Sequence, residues 1–380
     1  MNLINAQNIV KGGGVNVLTT LLKYVINTNN EYLVLLPKTK ELLHFIRCNR
    51  PKNFKIIWVP PGYFRFFFKI YFRVYLFNRL KKKFGITKIY SLGNIAINTD
   101  VPQVLLIQNA YIFLKDDFVW KRFPFFQRIY LRFMIYDIVK NMKFASIIAV
   151  QTNSMKAGLI SCYNISADKI FLYPNNITFS YDTNSYESQL LAKSFDNGLE
   201  LLFLSKYYPH KNFEILPNVC NLIRLKSLKV RIFLTLDPTV REEKNILNKL
   251  LVYDDIIFNL GPINSNNLSK TINKYHGLFL PSFIESFSSN YIEALSKKRL
   301  IFTSDRDFSR EVCGDYAIYF DPFSALSIVS SFEYFLENLD NKLLFINKNS
   351  NKFLDAIYKG KTFDALSSNF LNFNCENFTH

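Results

Sequence analysis

The sequence predicts an α/β protein of two domains, each built on a parallel β-sheet covered by helices. At 380 residues the chain exceeds the size at which a single hydrophobic core usually keeps growing. Apolar residues make up 49% and charged residues 20%, which is enough apolar material for a core in each half. Short strand-like runs alternate with helix-length stretches throughout, and this alternation is typical of parallel sheets with crossover helices.

The first half shows this alternation from its start. A short apolar run leads into Gly12, Gly13 and Gly14, then into the amphipathic pattern "VNVLTTLLKYVINT" and the strand-like "EYLVLLP". Further strand candidates are "KIIWVP", "KIYSLG", "QVLLIQNA" and "ASIIAVQ". We therefore predict residues 1–178 as the N-terminal domain.

The second half repeats the plan after a polar segment rich in Ser, Asn and Asp, which predicts a linker at 179–198. Its strand candidates are "LELLFLS", "KVRIFLTL", "DIIFNLG", "GLFLPSF", "RLIFTS" and "AIYFDP". We predict residues 199–350 as the C-terminal domain and 351–380 as a helical tail, which the sequence allows to pack back on the N-terminal domain. Two such domains are expected to face each other across a ligand-binding cleft.

The net charge of +17 is concentrated in the first half of the chain. Residues 1–175 hold 25 lysines and arginines against seven aspartates and glutamates, whereas the remainder holds 22 against 23. Such asymmetry is typical of a domain that faces an anionic partner, either nucleic acid or a membrane surface. No recognisable nucleic-acid-binding module accompanies the charge, so nucleic acid is not predicted as a partner.

Two segments of the first half combine basic with aromatic residues. In "YFRFFFKIYFRVYLFNRLKKKFG", Arg65, Lys69 and Arg73 recur every four residues and form one stripe on a helix. The aromatic residues that fall towards the other side are Phe64, Phe67, Phe68, Tyr71 and Tyr75. A second such segment is "WKRFPFFQRIYLRFMIYDIVKNMK". Both suit an anionic lipid surface; the alternative is that the aromatics are core and the basic residues a solvated face.

The cellular compartment is predicted from three missing sequence features: a disulfide pattern, an export signal and a membrane span. Its five cysteines are widely scattered, without a CxxC pair, and fit neither a disulfide framework nor a zinc site. The start lacks the pattern of an export signal, and no run approaches the roughly 18 apolar residues of a membrane span. We expect a cytoplasmic protein, peripheral at the inner face of the cell membrane.

Two motifs in the second half place polar side chains directly after strands. In the first, "LELLFLS" is followed by "KYYPHKN", which puts Lys206 and Lys211 in one loop leading into a helix. Two lysines beside a helix N-terminus can hold a diphosphate through their charges and the free backbone N–H groups. The alternative is that both are ordinary loop lysines without a ligand.

In the second motif, "GLFLPSF" is followed by Glu285, a run of small polar residues and a helix that carries Glu293. The small residues would let backbone amides approach a ligand at the start of this helix. The alternative is helix capping, because Asn290 with Glu293, and Ser282 with Glu285, have the spacing of a capping box.

From position 200 to about 323 the chain resembles the nucleotide-binding domain of the retaining family 4 glycosyltransferases, which have the GT-B architecture of two Rossmann-like domains. The similar stretches, in the family's order, are "LLFLSKYYPHKNFEIL", "IIFNLGPI", "LFLPSFIESFSSNYIEAL" and "LIFTSDRDFSREVCGDYAIYFDP". In the first half, "KGGGVNVLTTLL", "IQNAYIF", "VQTNSMKAGL" and "LYPNNI" resemble what the family has after successive strands.

The resemblance implies roles for the residues after the second-domain strands. It implies that Glu285 contacts hydroxyls of the donor sugar and that Glu293 accepts hydrogen bonds from the ribose hydroxyls. It further implies that Lys206 and Lys211 neutralise the phosphates of the leaving nucleotide. The residues whose amides would line the sugar and diphosphate are Phe287, Ser288 and Ser289.

The resemblance also implies roles in the first half. There Gly13 and Gly14, with Gly12, would let the backbone close on the donor or acceptor. Gln108 stands where many relatives have a histidine, and we assign it and Asn109 to the acceptor side.

The resemblance implies a retaining transfer in which the leaving phosphate helps to take the proton of the acceptor. No cofactor and no metal are predicted, since the four histidines are far apart, and the donor is a nucleoside-diphosphate sugar. The predicted acceptor is a lipid-linked glycan of the kind used for bacterial surface polysaccharides such as O-antigen or capsule. The alternatives are a small soluble acceptor, or a catalytically silent protein that binds a glycan or scaffolds an assembly.

Overall fold

A computed structural model describes residues 1–10, 12–62, 64–173, 195–264, 267–358 and 370–371. The chain forms two compact units. Unit 1 contains Met1–Leu114, Phe125–Asn176 and Gly360–His380, and unit 2 contains Lys115–Pro124 and Ile177–Lys359. Of the predicted linker at 179–198, only the last four residues lie within the described part of the chain.

Unit 1 is built on a seven-stranded sheet in which neighbouring strands are parallel, in the order β3-β2-β1-β4-β5-β6-β7. The strands are β1 (Asn2–Asn5), β2 (Tyr32–Pro37), β3 (Phe54–Val59), β4 (Lys88–Ser91), β5 (Gln103–Ile107), β6 (Ile147–Val150) and β7 (Ile170–Leu172). Every residue of β2, β5 and β6 is buried, as continuous apolar runs predict for strands covered on both faces.

Helices cover this sheet. They are α1 (Gly13–Ile26), α2 (Lys40–Asn49), α3 (Phe64–Tyr71), α4 (Phe77–Phe84), α6 (Phe125–Met142) and α7 (Asn153–Tyr163). Helix α1 buries Leu18, Leu21, Leu22 and Val25 on the face that its apolar spacing predicts. Between α3 and α4 the chain stays helical through a π-helical turn at Phe72–Leu76.

Unit 2 is built on a six-stranded sheet, again parallel between neighbours, in the order β10-β9-β8-β11-β12-β13. The strands are β8 (Leu199–Phe203), β9 (Val230–Leu234), β10 (Ile257–Asn259), β11 (Gly277–Leu280), β12 (Leu300–Ser304) and β13 (Ile318–Phe320). The helices are α5 (Asp117–Lys121), α8 (Leu216–Leu225), α9 (Arg241–Leu250), α10 (Leu268–Ile272), α11 (Ser289–Ser296), α12 (Asp307–Cys313), α13 (Ala325–Glu337) and α14 (Leu339–Tyr358). The two parallel, helix-covered sheets confirm the predicted fold class.

Two short pieces of chain pack away from their sequence neighbours. Residues 115–124, which the sequence analysis placed in the N-terminal domain, belong to unit 2, where the ring of Phe118 contacts Phe283 and Phe323. Near the C-terminus, Phe370 and Leu371 pack in the core of unit 1. The carbonyl oxygen of Leu371 accepts hydrogen bonds there from the hydroxyl of Tyr90 (2.6 Å) and the ammonium group of Lys88 (2.9 Å).

The aromatic residues of α3 and α6 are largely exposed. Phe64, Phe67, Tyr71 and Tyr75 are 47–74% exposed, while Phe68 packs against the core. On α6 the exposed apolar side chains are Phe125, Phe126, Ile129, Tyr130, Phe133 and Tyr136. The alternative of an aromatic core with a solvated basic face is therefore wrong for most of these side chains. No helix in the described part of the chain is long and apolar enough to cross a membrane.

Candidate functional site

The two motifs of unit 2 lie together because their strands are neighbours in the sheet. Strands β8 and β11 are parallel and adjacent, so the loops that follow them leave the same edge. Two hydrogen bonds join these loops: the side-chain amide of Asn290 donates to the Leu204 carbonyl (2.8 Å), and the Phe283 N–H donates to the His210 carbonyl (2.8 Å).

Lys211 and Glu285 form an ion pair at this edge. The Lys211 Nζ donates to the Glu285 Oε1, and the two side chains are only 14% and 12% exposed. Burial alone would raise the pKa of Glu285, but Lys211, His210 and the hydroxyl of Ser282 outweigh it and hold that pKa below its usual range. Glu285 is therefore an anion at neutral pH, with its charge balanced by Lys211.

His210 is neutral beside this pair. Its pKa is lowered to about 4, mainly by burial; Glu285 acts in the opposite direction, and Lys211 adds to the effect of burial. A neutral imidazole adds no charge to the site. Lys211 is therefore the cation that this loop holds against Glu285.

Lys206 is placed differently. Its side chain is exposed and makes no ion pair with any described residue. Its charge adds to the effect of Thr239, which is the main cause of the lowered pKa of Asp237. The structure thus brings Lys211 and Glu285 into contact, and leaves Lys206 outside that contact.

Glu293 lies one turn into helix α11 and is largely buried. Its Oε2 atom is buried and has no hydrogen-bond partner among the residues that the structure describes. Burial raises the pKa of this carboxyl to about 7, with Lys297 acting weakly in the opposite direction. A buried acceptor without a partner is costly, so the site is suited to a ligand that brings donors to it.

Helix capping does not account for the two glutamates. Helix α11 begins at Ser289, and its N-cap residue, Ser288, makes no capping bond with its side chain. Asn290 is inside the helix and donates to Leu204 instead. No helix begins between Ser282 and Glu285, although their side chains are hydrogen bonded. Of the remaining predicted residues, Ser288 is buried and Phe287 packs against the core of unit 2.

Arg122 is a residue of this site that the sequence analysis missed. From the 115–124 segment, its Nη1 donates to the Asn212 Oδ1 (2.7 Å) and the Glu214 Oε2 (3.2 Å). Glu214 also accepts from the Tyr207 hydroxyl (2.6 Å). Asn212 is fully buried in the left-handed conformation (φ 64°) and adjoins Lys211, so these bonds fix the backbone that carries Lys211.

The predicted residues of unit 1 lie at the carboxyl edge of its sheet. Helix α1 begins beside Gln108: a Cβ atom on Gly14 would lie 3.5 Å from the Gln108 Oε1, an ordinary van der Waals distance, so this contact does not require glycine. The Gln108 N–H donates to the Asn94 Oδ1 (2.6 Å). Asn109 caps the short helical turn that follows it, through a bond from the Tyr111 N–H (3.0 Å), so its side chain has a structural role.

The same edge holds buried amide oxygens that the sequence analysis did not single out. The side-chain oxygens of Asn5, Gln7 and Asn8 are buried, and no residue in the described part of the chain hydrogen bonds to them. Asn5 ends β1 and the other two follow it, whereas Asn94 and Gln108 follow β4 and β5, the next strands in the sheet. The signal was the run "NAQN" directly after an apolar strand. These oxygens are suited to bind a ligand that donates hydrogen bonds, such as a sugar.

Among the described residues, no group of three or more His, Cys, Asp and Glu side chains lies close enough to hold a metal ion. Asp305 and Asp307 have the Asp-x-Asp spacing that the sequence analysis passed over. Asp305 forms two hydrogen bonds with Arg310 (2.6 and 2.8 Å), which already satisfies its carboxylate.

Comparison of the sequence with protein-family models and with curated proteins gives no match. Solved structures match over almost the whole chain. Sucrose-phosphate synthase from Thermosynechococcus elongatus has a TM-score of 0.73 at 14% identity, covering 99% of this chain and 98% of that one. A glycosyltransferase from Rickettsia africae has a TM-score of 0.68 at 15% identity, with the same coverage. The Anabaena protein HepE, in complex with UDP and glucose, has a TM-score of 0.67 at 12% identity, covering 98% of both chains.

At 12–15% identity these likenesses establish the fold. Two parallel Rossmann-like sheets with this strand order are the GT-B architecture. The chain is thus a GT-B protein by fold, and its activity has to be argued from its own residues.

Proposed function

We propose that this protein is a retaining glycosyltransferase that moves a sugar from a nucleoside-diphosphate sugar to a lipid-linked glycan in the synthesis of a bacterial surface polysaccharide. Unit 2 would bind the donor and unit 1 the acceptor. The transfer would need no metal ion. The observation that carries the proposal is the buried, unpartnered oxygen of Glu293, which lies on the same sheet edge as the Lys211–Glu285 pair.

The Glu293 oxygen fits a ribose. Two neighbouring hydroxyls can both donate to one carboxylate, and such charge-assisted bonds are stronger than neutral ones. They would also stabilise the ionised form of a carboxyl whose pKa is about 7 in the absence of a ligand. That HepE is solved with UDP in a similar fold supports a nucleotide as the ligand.

The Lys211–Glu285 pair fits the diphosphate and the sugar. An ammonium group has three donors, and one is used by Glu285, so Lys211 can serve a phosphate oxygen without leaving the pair. The Glu285 carboxylate likewise keeps acceptor capacity for a sugar hydroxyl. Lys206, exposed in the same loop, would add charge next to the phosphates.

The chemical step follows from these roles. The bond between the anomeric carbon of the sugar and the phosphate oxygen breaks, and the acceptor hydroxyl attacks from the same face, so the configuration is retained. The leaving phosphate takes the acceptor proton. Negative charge grows on that phosphate as the bond breaks, so cations placed there stabilise the transition state more than the bound donor.

A screen of nucleotide sugars and nucleoside diphosphates tests this proposal. A ligand that binds the folded state raises the melting temperature by mass action, and a true donor is also slowly hydrolysed. The Glu293→Ala variant is expected to lose stabilisation by the free nucleoside diphosphate. Glu285→Ala is expected to keep nucleotide binding and lose hydrolysis.

Three other results of this screen would each contradict one part of the proposed function. Binding without hydrolysis or transfer would point to a silent glycan-binding protein. No binding of any nucleotide would overturn the donor role of unit 2. Transfer only to small soluble sugars would overturn the lipid-linked acceptor.

Peripheral membrane binding by unit 1 is part of the proposal, and its exposed aromatic side chains support it. Phe64 and Phe126 are 74% and 81% exposed. Each basic residue near an anionic surface contributes on the order of 1 kcal/mol, and salt weakens this attraction. We expect sedimentation with vesicles that contain phosphatidylglycerol, and little with neutral vesicles.

The matched control for membrane binding lies in unit 2. The Phe64→Ser/Phe126→Ser variant should sediment several-fold less than wild type, because it loses insertion into the interface. The Leu225→Ser/Leu251→Ser variant changes two equally exposed apolar side chains of unit 2 and should sediment like wild type. Equal loss in both variants, or equal sedimentation with both kinds of vesicle at low salt, would contradict a membrane role for unit 1.

A further inference from the structure

Unit 1 contains a pocket of about 680 Å³. It lies between the α3 helix, which continues into the π-helical turn, and helix α6, and it reaches the loops that follow β1 and β4. Its volume is in the range of pockets that bind small molecules. Its wall is mostly apolar, and includes Ile70, Tyr130, Phe133 and Met134.

The second part of the pocket is cationic. Lys69 and Arg73 line it, and Arg65 is one helical turn before Lys69. Asp137 also lines the pocket, but both of its oxygens accept from Arg73 (3.0 and 2.8 Å), and it accepts from Asn141 as well (2.8 Å). Lys69 makes no ion pair with any described residue. The pocket therefore holds positive charge that its own residues do not balance.

The unbalanced positive charge also affects the pKa of Lys69. Its pKa is lowered to about 8, mainly by burial and also by the nearby Arg65 and Arg73, against a weaker opposing effect of Asp137. An anion bound at Lys69 would oppose this lowering, because it adds the counter-charge that the pocket lacks. Arg73 lies in the π-helical turn, a rare geometry that is often found at functional sites.

The third part of the pocket is polar and uncharged. Asn8, Gly93 and Asn94 line this end. The Asn8 Oδ1 is buried without a partner, and Asn94 binds the backbone of Gln108, the residue assigned to the acceptor side. The pocket therefore combines an aromatic and apolar wall, two cations and amide groups suited to a sugar.

We propose that this pocket binds one molecule of the lipid-linked acceptor, with the apolar chain between α3 and α6, the lipid phosphate at Lys69, and the first sugar towards Asn8 and Asn94. This inference rests on the proposed function, since it names the chemistry of the acceptor. The three kinds of lining, which are apolar, cationic and amide side chains, match the chain, the phosphate and the sugar of such a lipid. A free phosphate would leave the apolar wall unused, and a neutral lipid would leave Lys69 unbalanced.

Binding of three soluble probes to the full-length protein tests the assignment. Farnesyl diphosphate carries both the chain and the phosphates, farnesol carries the chain alone, and inorganic diphosphate carries the charge alone. We expect calorimetry to show farnesyl diphosphate binding at least tenfold more tightly than either of the others. Lys69→Gln should weaken farnesyl diphosphate about tenfold and leave farnesol unchanged.

Two further variants separate the pocket from its surroundings. Met134→Trp fills the apolar part and should weaken both farnesyl probes about tenfold, and Ile70→Trp at the exposed rim tests the same point if Met134→Trp does not fold. Lys82→Gln removes an exposed charge of α4 that does not line the pocket, and should bind all probes like wild type. Inorganic diphosphate binding as tightly as farnesyl diphosphate would reveal a simple phosphate site and overturn the proposal.

Nucleoside diphosphate binding is measured on the same variants, so that the two proposals can fail separately. If Lys69→Gln and Met134→Trp bind farnesyl diphosphate like wild type while the nucleotide still binds, the pocket assignment is wrong and the glycosyltransferase proposal stands. If the farnesyl probe binds as expected but no nucleotide or nucleotide sugar does, the proposed function fails and the pocket remains a lipid phosphate site.

Discussion

The two units differ in whether their buried cationic side chains have partners. In unit 2 the buried ammonium of Lys211 meets the carboxylate of Glu285 directly, and Arg122 is likewise satisfied by Asn212 and Glu214. In unit 1, Lys69 lies beside Arg65 and Arg73, and the one nearby carboxylate, Asp137, is already bound to Arg73. Lys211 and Arg122 thus have partners within unit 2, whereas Lys69 of unit 1 has no ion-pair partner among the residues that the structure describes.

This difference indicates different kinds of ligand. A site whose charges are paired and hydrogen bonded keeps its geometry without a ligand. A reaction centre needs such a fixed geometry because it stabilises charge that appears only in the transition state. A site with unbalanced cations and exposed aromatic side chains is instead stabilised by binding an anionic, partly apolar ligand. The comparison thus favours donor chemistry in unit 2 and recognition of an amphiphile in unit 1.

The largest effect is expected from breaking the ion pair of unit 2. Lys211→Ala leaves the Glu285 carboxylate buried without its counter-ion, which typically costs about 3–5 kcal/mol of folding stability. It should also reduce donor hydrolysis roughly a hundredfold, the usual loss when one group that stabilises developing charge is removed. Urea unfolding and turnover measure the two effects.

A double variant separates stability from function at this pair. Lys211→Met/Glu285→Leu removes both charges and should recover most of the lost stability, because buried ion pairs can be replaced by apolar residues at little cost. It should not recover turnover. Lys206→Arg, in the same loop, should be nearly neutral since arginine also binds phosphate. Recovery of turnover in the double variant would show that the pair has no catalytic role.

The next effect concerns Arg122, which connects the 115–124 segment to the Lys211 loop. Arg122→Ala removes the charge-assisted bonds to Asn212 and Glu214, which are worth about 2–3 kcal/mol together. We also expect donor hydrolysis to fall while nucleotide affinity changes little, because the loop that holds Lys211 loosens. Lys121→Ala, the exposed neighbour, is the control. Stability loss with unchanged hydrolysis would limit Arg122 to a packing role.

A smaller and pH-dependent effect is expected at Glu293. Its pKa rises from an ordinary value of 4.5 to about 7 on folding, so its contribution to stability is present below about pH 4.5 and is lost as the pH rises through 7. Glu293→Gln should therefore match wild type near pH 4.5 and exceed its stability by roughly 3 kcal/mol at pH 8. Melting temperatures across this range measure the difference.

Nucleotide binding should follow the opposite trend at the same residue. Wild-type affinity should fall as the pH drops below 7, because protonation removes the acceptor that the ribose needs. The affinity of Glu293→Gln should be weaker at pH 8 and flat with pH. A wild-type affinity that is also flat between pH 6 and 8 would contradict the ribose role.

The fold was largely predictable from the sequence because buried parallel strands appear as continuous apolar runs, such as "YLVLLP" and "LIFTS". Strand β7, Ile170–Leu172, was missed because three residues carry no period. The 115–124 segment was assigned to the wrong unit because nothing local signals that Arg122 pairs with Asn212, 90 residues away.

The sequence singled out residues of the candidate site, but it did not indicate which of them are in contact. Lys211 and Glu285 were each singled out, and their contact depends on two loops being held together by Asn290 and Phe283. The exposure of the aromatic side chains of α3 was likewise undetermined, since a period of 3.6 residues defines two faces without saying which one is buried.

The smallest effect is expected on removing divalent ions. If the lysines of unit 2 supply the charge that a metal would supply, EDTA should change donor hydrolysis less than about twofold, whereas Lys211→Ala changes it roughly a hundredfold. Asp305→Asn offers a direct check, because Asp305 and Asp307 have the spacing of a metal-binding pair while Asp305 is bound to Arg310. Turnover of wild type and both variants is measured with and without EDTA. The proposal would be contradicted if EDTA abolished wild-type activity, manganese restored it, and Asp305→Asn were inactive even with manganese. The charge-stabilising role would then belong to a metal ion held beside Asp305 and not to Lys211. Unit 2 would then depend on an added cation, as unit 1 depends on an added anion, and the contrast between the two units would disappear.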